Sequence, residues 1–305
     1  MTSLLLGLLL QGTPATHVLV VTGLGGEPRY SQAFVSLGAD LVTSLRDRHG
    51  VAREQITWLA EDSAAHAAVK GRATREAVLA ELSRLAQTSV PGDRVLLVLI
   101  GHGSDAGEAR FNLPGRDLGA SDLVPALQAL TGRTVAVVAA ASASGGLADE
   151  LAGPGRVVIT ATKSGMERNE VQFSRVFVKA FVESAGDTDK DGRLSLAEAY
   201  AYATSEVERF YTADNRLQTE HARISDEPLA AAFRFSPEGG VVTAAPGDSV
   251  TAALLARKAQ LEEQIAGLRA RRGQLDPAAY EQELERLLVA LAETNRALRE
   301  RGGGP

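Results

Sequence analysis

The sequence predicts an α/β protein: a parallel-rich sheet with helices on both faces, followed by a C-terminal α-helical hairpin or coiled coil. Three observations carry that prediction. The runs Val95–Ile100 and Thr134–Ala140 are almost wholly apolar, as strands buried on both faces of a sheet are. Strand-like runs alternate with amphipathic helical stretches through most of the chain, the pattern that builds parallel sheets. Near the C-terminus Leu254, Leu261, Leu268 and Leu275 recur every seventh residue.

Bulk properties narrow the function. The chain has 305 residues, enough to bury a sizeable core, with 45% hydrophobic and 23% charged residues. A formal net charge of -6 and only 5% aromatic residues argue against a nucleic-acid surface. Cysteine is absent, which removes disulfides, thiolate metal sites and thiol nucleophiles together.

Leu4-Leu5-Leu6 and Leu8-Leu9-Leu10, with the small Ala15 behind them, read as a signal peptide over residues 1–15. The run is too short to span a bilayer, and no basic residue precedes it. A buried N-terminal segment is the alternative. With export, the protein is expected in the periplasm or outside the cell, with no membrane span after signal removal.

A folded domain is expected over residues 16–235. Its first strand, His17–Thr22, runs into the glycine-rich loop Gly23–Pro28. That spacing is neither a dinucleotide fingerprint nor a P-loop, so a tight turn beside a ligand is the better reading. Arg29 lies just beyond and is a candidate substrate contact. A helix is expected over Ser31–His49, a strand over Gln55–Leu59, and an amphipathic helix over Thr74–Thr88 with Val78, Leu79, Leu82 and Leu85 on one stripe. After the turn Pro91-Gly92-Asp93 comes Val95–Ile100, which ends in Gly101-His102-Gly103-Ser104. Residues 109–115 read as a short strand or hairpin segment, and Ala120–Leu130 as a helix. Thr134–Ala140 ends in Ala141-Ser142-Ala143-Ser144-Gly145-Gly146. Strand Val157–Ala161, charged loop Lys163–Glu170 and helix Val171–Ser184 follow, and Leu229–Phe235 reads as a last strand.

Two strand ends therefore carry potential chemistry. In a parallel sheet His102 and Ser142 lie on one edge and can converge, since ligands collect at the carboxyl ends of strands. A nucleophile and its base need heavy atoms about 2.6–3.2 Å apart.

A buried strand ending in His-Gly, followed by one ending in Ala-Cys-x-Ser-Gly, is the pattern of the legumain and caspase clan of cysteine peptidases. Gly101-His102-Gly103-Ser104 and Ala141-Ser142-Ala143-Ser144-Gly145 resemble it, in that order. Val18–Tyr30 is similar to the opening strand of legumain-like domains. Leu217-Gln218-Thr219-Glu220-His221 sits where many bacterial members carry a Gln-Thr-Pro-like segment. The resemblance implies a caspase-like fold over about Thr16–Asp226, with His102 as general base and backbone N–H groups near Gly103 and Ser142 as oxyanion donors. It also implies that the loop after the next strand helps form the pocket for the residue before the cleaved bond, where Glu167, Arg168 and Glu170 are candidates for reading a charged side chain. The position of the clan's nucleophilic cysteine is Ser142. A hydroxyl must lose its proton during attack, whereas a thiol ionises near neutral pH. Three readings stand: a pseudopeptidase that binds peptides or partners, a serine hydrolase with a further group orienting its histidine, and a deliberately inactivated form. A non-catalytic binding module using the cleft and the C-terminal hairpin is the alternative to an enzyme.

Asp187-Thr188-Asp189-Lys190-Asp191-Gly192-Arg193-Leu194-Ser195-Leu196-Ala197-Glu198 has every key position of an EF-hand loop. Asp187, Asp189 and Asp191 supply side-chain oxygens, Gly192 the sharp turn, Arg193 a backbone carbonyl, Ser195 a direct or water-mediated ligand, and Glu198 a bidentate carboxylate. One calcium ion is expected, held between a helix before the loop and one over Leu196–Phe210. A lone loop points to a structural ion beside the active-site edge more than to a paired-hand sensor.

Residues 236–249 are rich in glycine, proline and small residues and read as a linker. The hairpin is expected over 250–301, restarting at Asp276-Pro277 with aspartate as N-cap. Tyr280, Leu284, Leu287, Leu291 and Leu298 line its second helix. It packs on its own domain, on a partner protein, or on a second copy of the chain.

Overall fold

The computed structural model describes residues 14–235, 248–270 and 276–302. The leader read over 1–15 lies almost wholly outside the described residues, as does most of the linker.

The elements run β1 (Thr16–Thr22), α1 (Pro28–Asp47), β2 (Ile56–Ala60), β3 (Gly71–Arg72), α2 (Arg75–Thr88), β4 (Arg94–Gly101), β5 (Gly103–Asp105), β6 (Ala109–Phe111) and β7 (Leu118–Gly119). Then come α3 (Ala120–Gln128), β8 (Thr134–Ala141), α4 (Gly146–Glu150), β9 (Arg156–Thr160), α5 (Phe173–Val182), β10 (Leu194–Ser195) and α6 (Leu196–Ala213). The chain closes with β11 (Arg223–Ile224), α7 (Glu227–Ala232), β12 (Arg234–Phe235), α8 (Ser249–Ala270) and α9 (Pro277–Gly302).

The main sheet has seven strands in the order β11-β9-β8-β4-β1-β2-β3. All its pairings are parallel except β11 with β9. β4 and β8 sit centrally and are buried along nearly their whole length, which explains their unbroken apolar runs. Alternate residues serve opposite faces. Val18, Val20, Leu96, Val98, Ile100, Val138 and Ala140 pack with Phe34 and Leu41 of α1, the phenylalanines of α5, and α6. Leu19, Val21, Leu97, Leu99, Val137 and Ala139 pack with Val78, Leu82 and Leu85 of α2 and with Leu123 of α3. The α2 stripe is fixed at its start by Thr74, whose Oγ1 accepts the Ala77 N–H at 3.2 Å.

The structure differs from expectation at the last strand. Residues Leu229–Phe235 form most of the short helix α7 and the two-residue strand β12, not one strand. Asp226 accepts the Leu229 N–H at 2.9 Å and Pro228 sits in the first turn, so local capping wins over the apolar run. The stretch after His102, expected as a short strand or hairpin segment over residues 109–115, belongs to a separate antiparallel ribbon, β5-β6-β7. In the C-terminal hairpin Asp276 caps α9 by accepting the Ala279 N–H at 3.0 Å. Leu261, Ile265, Leu268, Tyr280, Leu287 and Leu291 form an apolar core of the hairpin's own.

Candidate active site and acidic loop

The last pair in the β4–β8 ladder is Gly101 with Ala141, so His102 and Ser142 leave adjacent central strands at the same level. The edge they share is laced together by main chain. Gly23 donates to the Ile100 carbonyl at 2.9 Å, Leu24 to Asn112 at 3.0 Å, and Asn112 to His102 at 2.9 Å. The glycines serve close approach. A Cβ on Gly103 would collide with the Ser142 carbonyl and stand 2.9 Å from that of Arg110. One on Gly23 would stand 2.6 Å from the Asn112 carbonyl. The glycine-rich loop is thus a packing device. Its Gly25 N–H already binds the Glu61 carboxylate at 3.1 Å, and that negative charge opposes a phosphate there.

The His102 ring is half-buried in an aromatic corner. It meets Tyr30 edge-on at 4.7 Å and Phe34 at 5.1 Å between ring centres. Burial holds its pKa below the ordinary histidine value, and the charges of Glu170 and Glu27 partly oppose that. The ring borders a cavity of about 230 Å³ between α1 and the start of α5, lined also by Tyr30, Phe34, Glu170, Ser174 and Arg175. Ser142 is 4% exposed and looks elsewhere. Its Oγ accepts the Gly103 N–H at 3.2 Å and donates to the Gly103 carbonyl at 3.4 Å. Among the described residues no hydrogen bond joins His102 to Ser142. The next residue, Ala143, has φ of 52°, in the left-handed region. Its N–H is held by the Glu167 carbonyl at 2.8 Å.

The four charged residues singled out for substrate contact divide. Glu170 lines the cavity, where its carboxylate accepts the Tyr30 hydroxyl at 3.1 Å. Arg29 does not line it and stands 4.5 Å above the Tyr30 ring and 3.0 Å from Glu27. Glu167 is turned into the protein. It accepts the Lys163 N–H at 2.9 Å and the His221 N–H at 3.1 Å, and meets His221 Nδ1 at 2.6 Å. Arg168 is likewise spent on the carbonyls of Gly165 and Asp105, both at 3.2 Å. Tyr30, Phe34, Ser174 and Arg175 are among the cavity residues that the sequence did not single out for substrate contact. Their only signal was position on the first two turns of helices that follow strand ends.

The acidic loop brings Asp187, Asp189 and Asp191 together, with one carboxylate oxygen from each lying within 4.8 Å of the others. Gly192 has φ of 80°, which the tight turn requires. Asp187 Oδ2 accepts the Gly192 N–H at 2.9 Å, while its Oδ1 is buried with no hydrogen-bond partner. Burial and the neighbouring Asp191 charge push the Asp187 carboxyl up to about 7. Glu198 closes the loop from the far side. One oxygen takes the Thr188 N–H at 3.1 Å, and the other takes the Ser195 N–H at 2.9 Å. Leu194 pairs with Phe235, so this single loop finds its strand partner in β12. An orphaned buried oxygen inside a converging set of carboxylates fits a hard divalent cation, with Asp187, Asp189, Asp191, Ser195, Glu198 and the Arg193 carbonyl as its holders.

No family model matches the sequence, and no curated protein matches it. Among solved structures, the chain is similar to caspase-1 from Spodoptera frugiperda, at 11% identity and a TM-score of 0.45, over 70% of this chain and 87% of that one. It is similar to drICE at 9% identity and 0.45, over 71% and 89%. It is similar to the protein GSU0716 from Geobacter sulfurreducens at 12% identity and 0.43, over 73% and 94%. At that level of likeness a functional reading rests on the site's own geometry.

Proposed function

We propose that this chain is a legumain/caspase-like peptidase homologue with a silent catalytic edge, which holds a peptide or protein segment beside His102 and carries one calcium ion in its acidic loop. The observation that carries the silent reading is the Ser142 hydroxyl. It is buried and satisfied by the Gly103 backbone, at 3.2 and 3.4 Å, while the imidazole faces Tyr30 and Phe34. A serine without a base to take its proton is a poor nucleophile. The cavity beside His102 remains a binding feature, with an aromatic wall and one carboxylate at Glu170. A fluorophosphonate probe tests this. The expected result is no labelling, with peptide binding retained in Ser142→Ala. Stoichiometric labelling that disappears in Ser142→Ala overturns it.

A weakly active serine hydrolase is the second reading, favoured by the level strand ends of β4 and β8 and by the Gly103 N–H beside Ser142 Oγ. In it, His102 takes the Ser142 proton during attack, and the Gly103 N–H stabilises the oxyanion. Positive labelling decides for it.

The calcium reading rests on the complete ligand pattern and the orphaned Asp187 oxygen. Calcium titrated into chelator-treated protein is expected to raise its melting temperature, and Asp187→Asn to lose most of that rise. An unchanged melting temperature removes the ion's stapling role. Export stays a proposal from the leucine-rich leader. Among the described residues no helix is long and apolar enough to cross a membrane.

A further inference from the structure

The C-terminal hairpin covers the acidic loop, and the groups it presents there are cations and an amide. Lys258 of α8 donates its Nζ to the Asp191 carbonyl at 3.2 Å. Asn295 of α9 is 5% exposed and donates its Nδ2 to the Lys190 carbonyl at 3.0 Å. One helical turn further, the Arg299 guanidinium lies over Gly192, 3.2 Å from where a Cβ on that glycine would stand. From the domain side, Arg234 pairs with the Asp191 carboxylate at 2.8 Å. Three cations thus gather round a loop bearing Asp187, Asp189, Asp191 and Glu198.

The hairpin also has its own apolar core, and none of its described residues joins the two clusters that flank the main sheet. Its hydrogen bonds to Lys190 and Asp191 attach it to the domain at the loop itself. A helical pair cored within itself and docked through polar contacts can leave without opening the domain.

We propose that calcium and the hairpin compete for this loop, so that ion binding loosens the hairpin and the docked hairpin weakens ion binding. This rests on the calcium reading above. A doubly charged ion among the carboxylates cancels the negative charge that Lys258 and Arg299 face and repels both at short range. The Lys190 and Asp191 carbonyls are not among the expected ligands, so the conflict is one of charge, not of shared ligand atoms. By linkage, the factor by which the ion loosens the hairpin equals the factor by which the hairpin lowers ion affinity.

The chain lacks cysteine, so a spin-label pair at Glu208→Cys on α6 and Glu293→Cys on α9 reports hairpin position in the full-length protein. Without calcium one narrow distance is expected, and with calcium a longer or broader distribution. By calorimetry, Lys258→Met is expected to bind calcium roughly threefold to tenfold more tightly than wild type. Arg299→Gln is expected to shift the affinity in the same direction, which keeps the test open if one variant folds poorly. Asn295→Ala removes an uncharged tether and is expected to broaden the distance distribution without calcium. Calcium binding with an unchanged distance distribution overturns the competition, and so does affinity that stays equal or falls in both charge variants. Absence of any calcium binding to the folded wild type overturns the calcium reading, and the competition with it.

Discussion

His102 shows how much one side chain's surroundings decide. The ring is pressed edge-on against Tyr30 and Phe34, and burial disfavours its charged form. Glu170 works the other way, since a nearby carboxylate favours the imidazolium. The sum is a histidine with a pKa below the ordinary value. Glu170→Gln removes the opposing charge, so the His102 pKa is expected to fall further. Following the imidazole resonances by NMR from pH 8 to pH 4 checks this. A rise in Glu170→Gln would show that the carboxylate does not act on the ring. Tyr30 gives a second readout, because desolvation raises its pKa and the hydrogen bond it donates to Glu170 at 3.1 Å, with that carboxylate's charge, raises it further. In the same variant Tyr30 is expected to ionise at lower pH.

Helix α5 shows an element secured from outside its own sequence. Its N-cap residue, Gln172, makes no side-chain cap. The N–H groups at its start are taken by Glu220, which accepts Gln172 N–H at 2.7 Å and Phe173 N–H at 2.9 Å, with the Tyr211 hydroxyl at 3.1 Å. Glu220 is 1% exposed, and burial raises its pKa against the pull of those donors. Glu220→Ala leaves buried donors without an acceptor and is expected to cost about 2–4 kcal/mol, read from urea unfolding. Glu220→Gln keeps one acceptor oxygen and is expected to fall between. A loss in Glu220→Ala of less than about 1 kcal/mol would mean that water replaces the carboxylate. The sequence could place α5 by its apolar stripe but not find this cap, because Glu220 follows α6, 47 positions from Phe173. The same limit runs through the molecule. β4 and β8 were legible because double-sided burial writes an unbroken apolar run. The convergence of Asp187, Asp189 and Asp191 was legible because they lie close together in one glycine-turned loop. Strands β3, β7 and β12 have two residues each, too few to show any period. For the site, the shared edge of His102 and Ser142 follows from strand ends alone. Where Ser142 Oγ points does not, since that depends on Gly103 in a ribbon defined only by tertiary pairing.

At the scale of the whole molecule, His49 ties together elements on the α1 side of the sheet, and its contribution to stability has a pH dependence of definite sign. His49 Nε2 meets the Phe181 carbonyl at 2.8 Å, and its ring packs against Phe181 at 5.4 Å and Phe235 at 6.0 Å. It therefore joins the end of α1 to α5 and to β12, the strand that completes the acidic loop. Burial lowers its pKa from the usual 6.5, with the Phe181 hydrogen bond pulling partly the other way. Below pH 6.5 the unfolded chain takes up a proton that the folded chain refuses. The His49 contribution to stability is therefore full above that pH and declines as the pH falls below it, by up to about 1.4 kcal/mol per pH unit while only the unfolded form is charged, whereas the raised carboxyl of Asp187 works in the opposite direction. His102 adds to the decline in the same direction, so a single-site comparison is needed to separate the two. His49→Gln keeps a donor for the Phe181 carbonyl and removes the titration. It is expected to be less stable than wild type at pH 7.5, where the ring contacts count in full, and to close that gap by pH 5. Urea unfolding of both proteins across this range, in chelator so that the acidic loop is in one state, gives the difference directly. A gap that stays constant or widens on acidification would show that His49 is protonated in the fold, and that the junction of α1, α5 and β12 tolerates its charge.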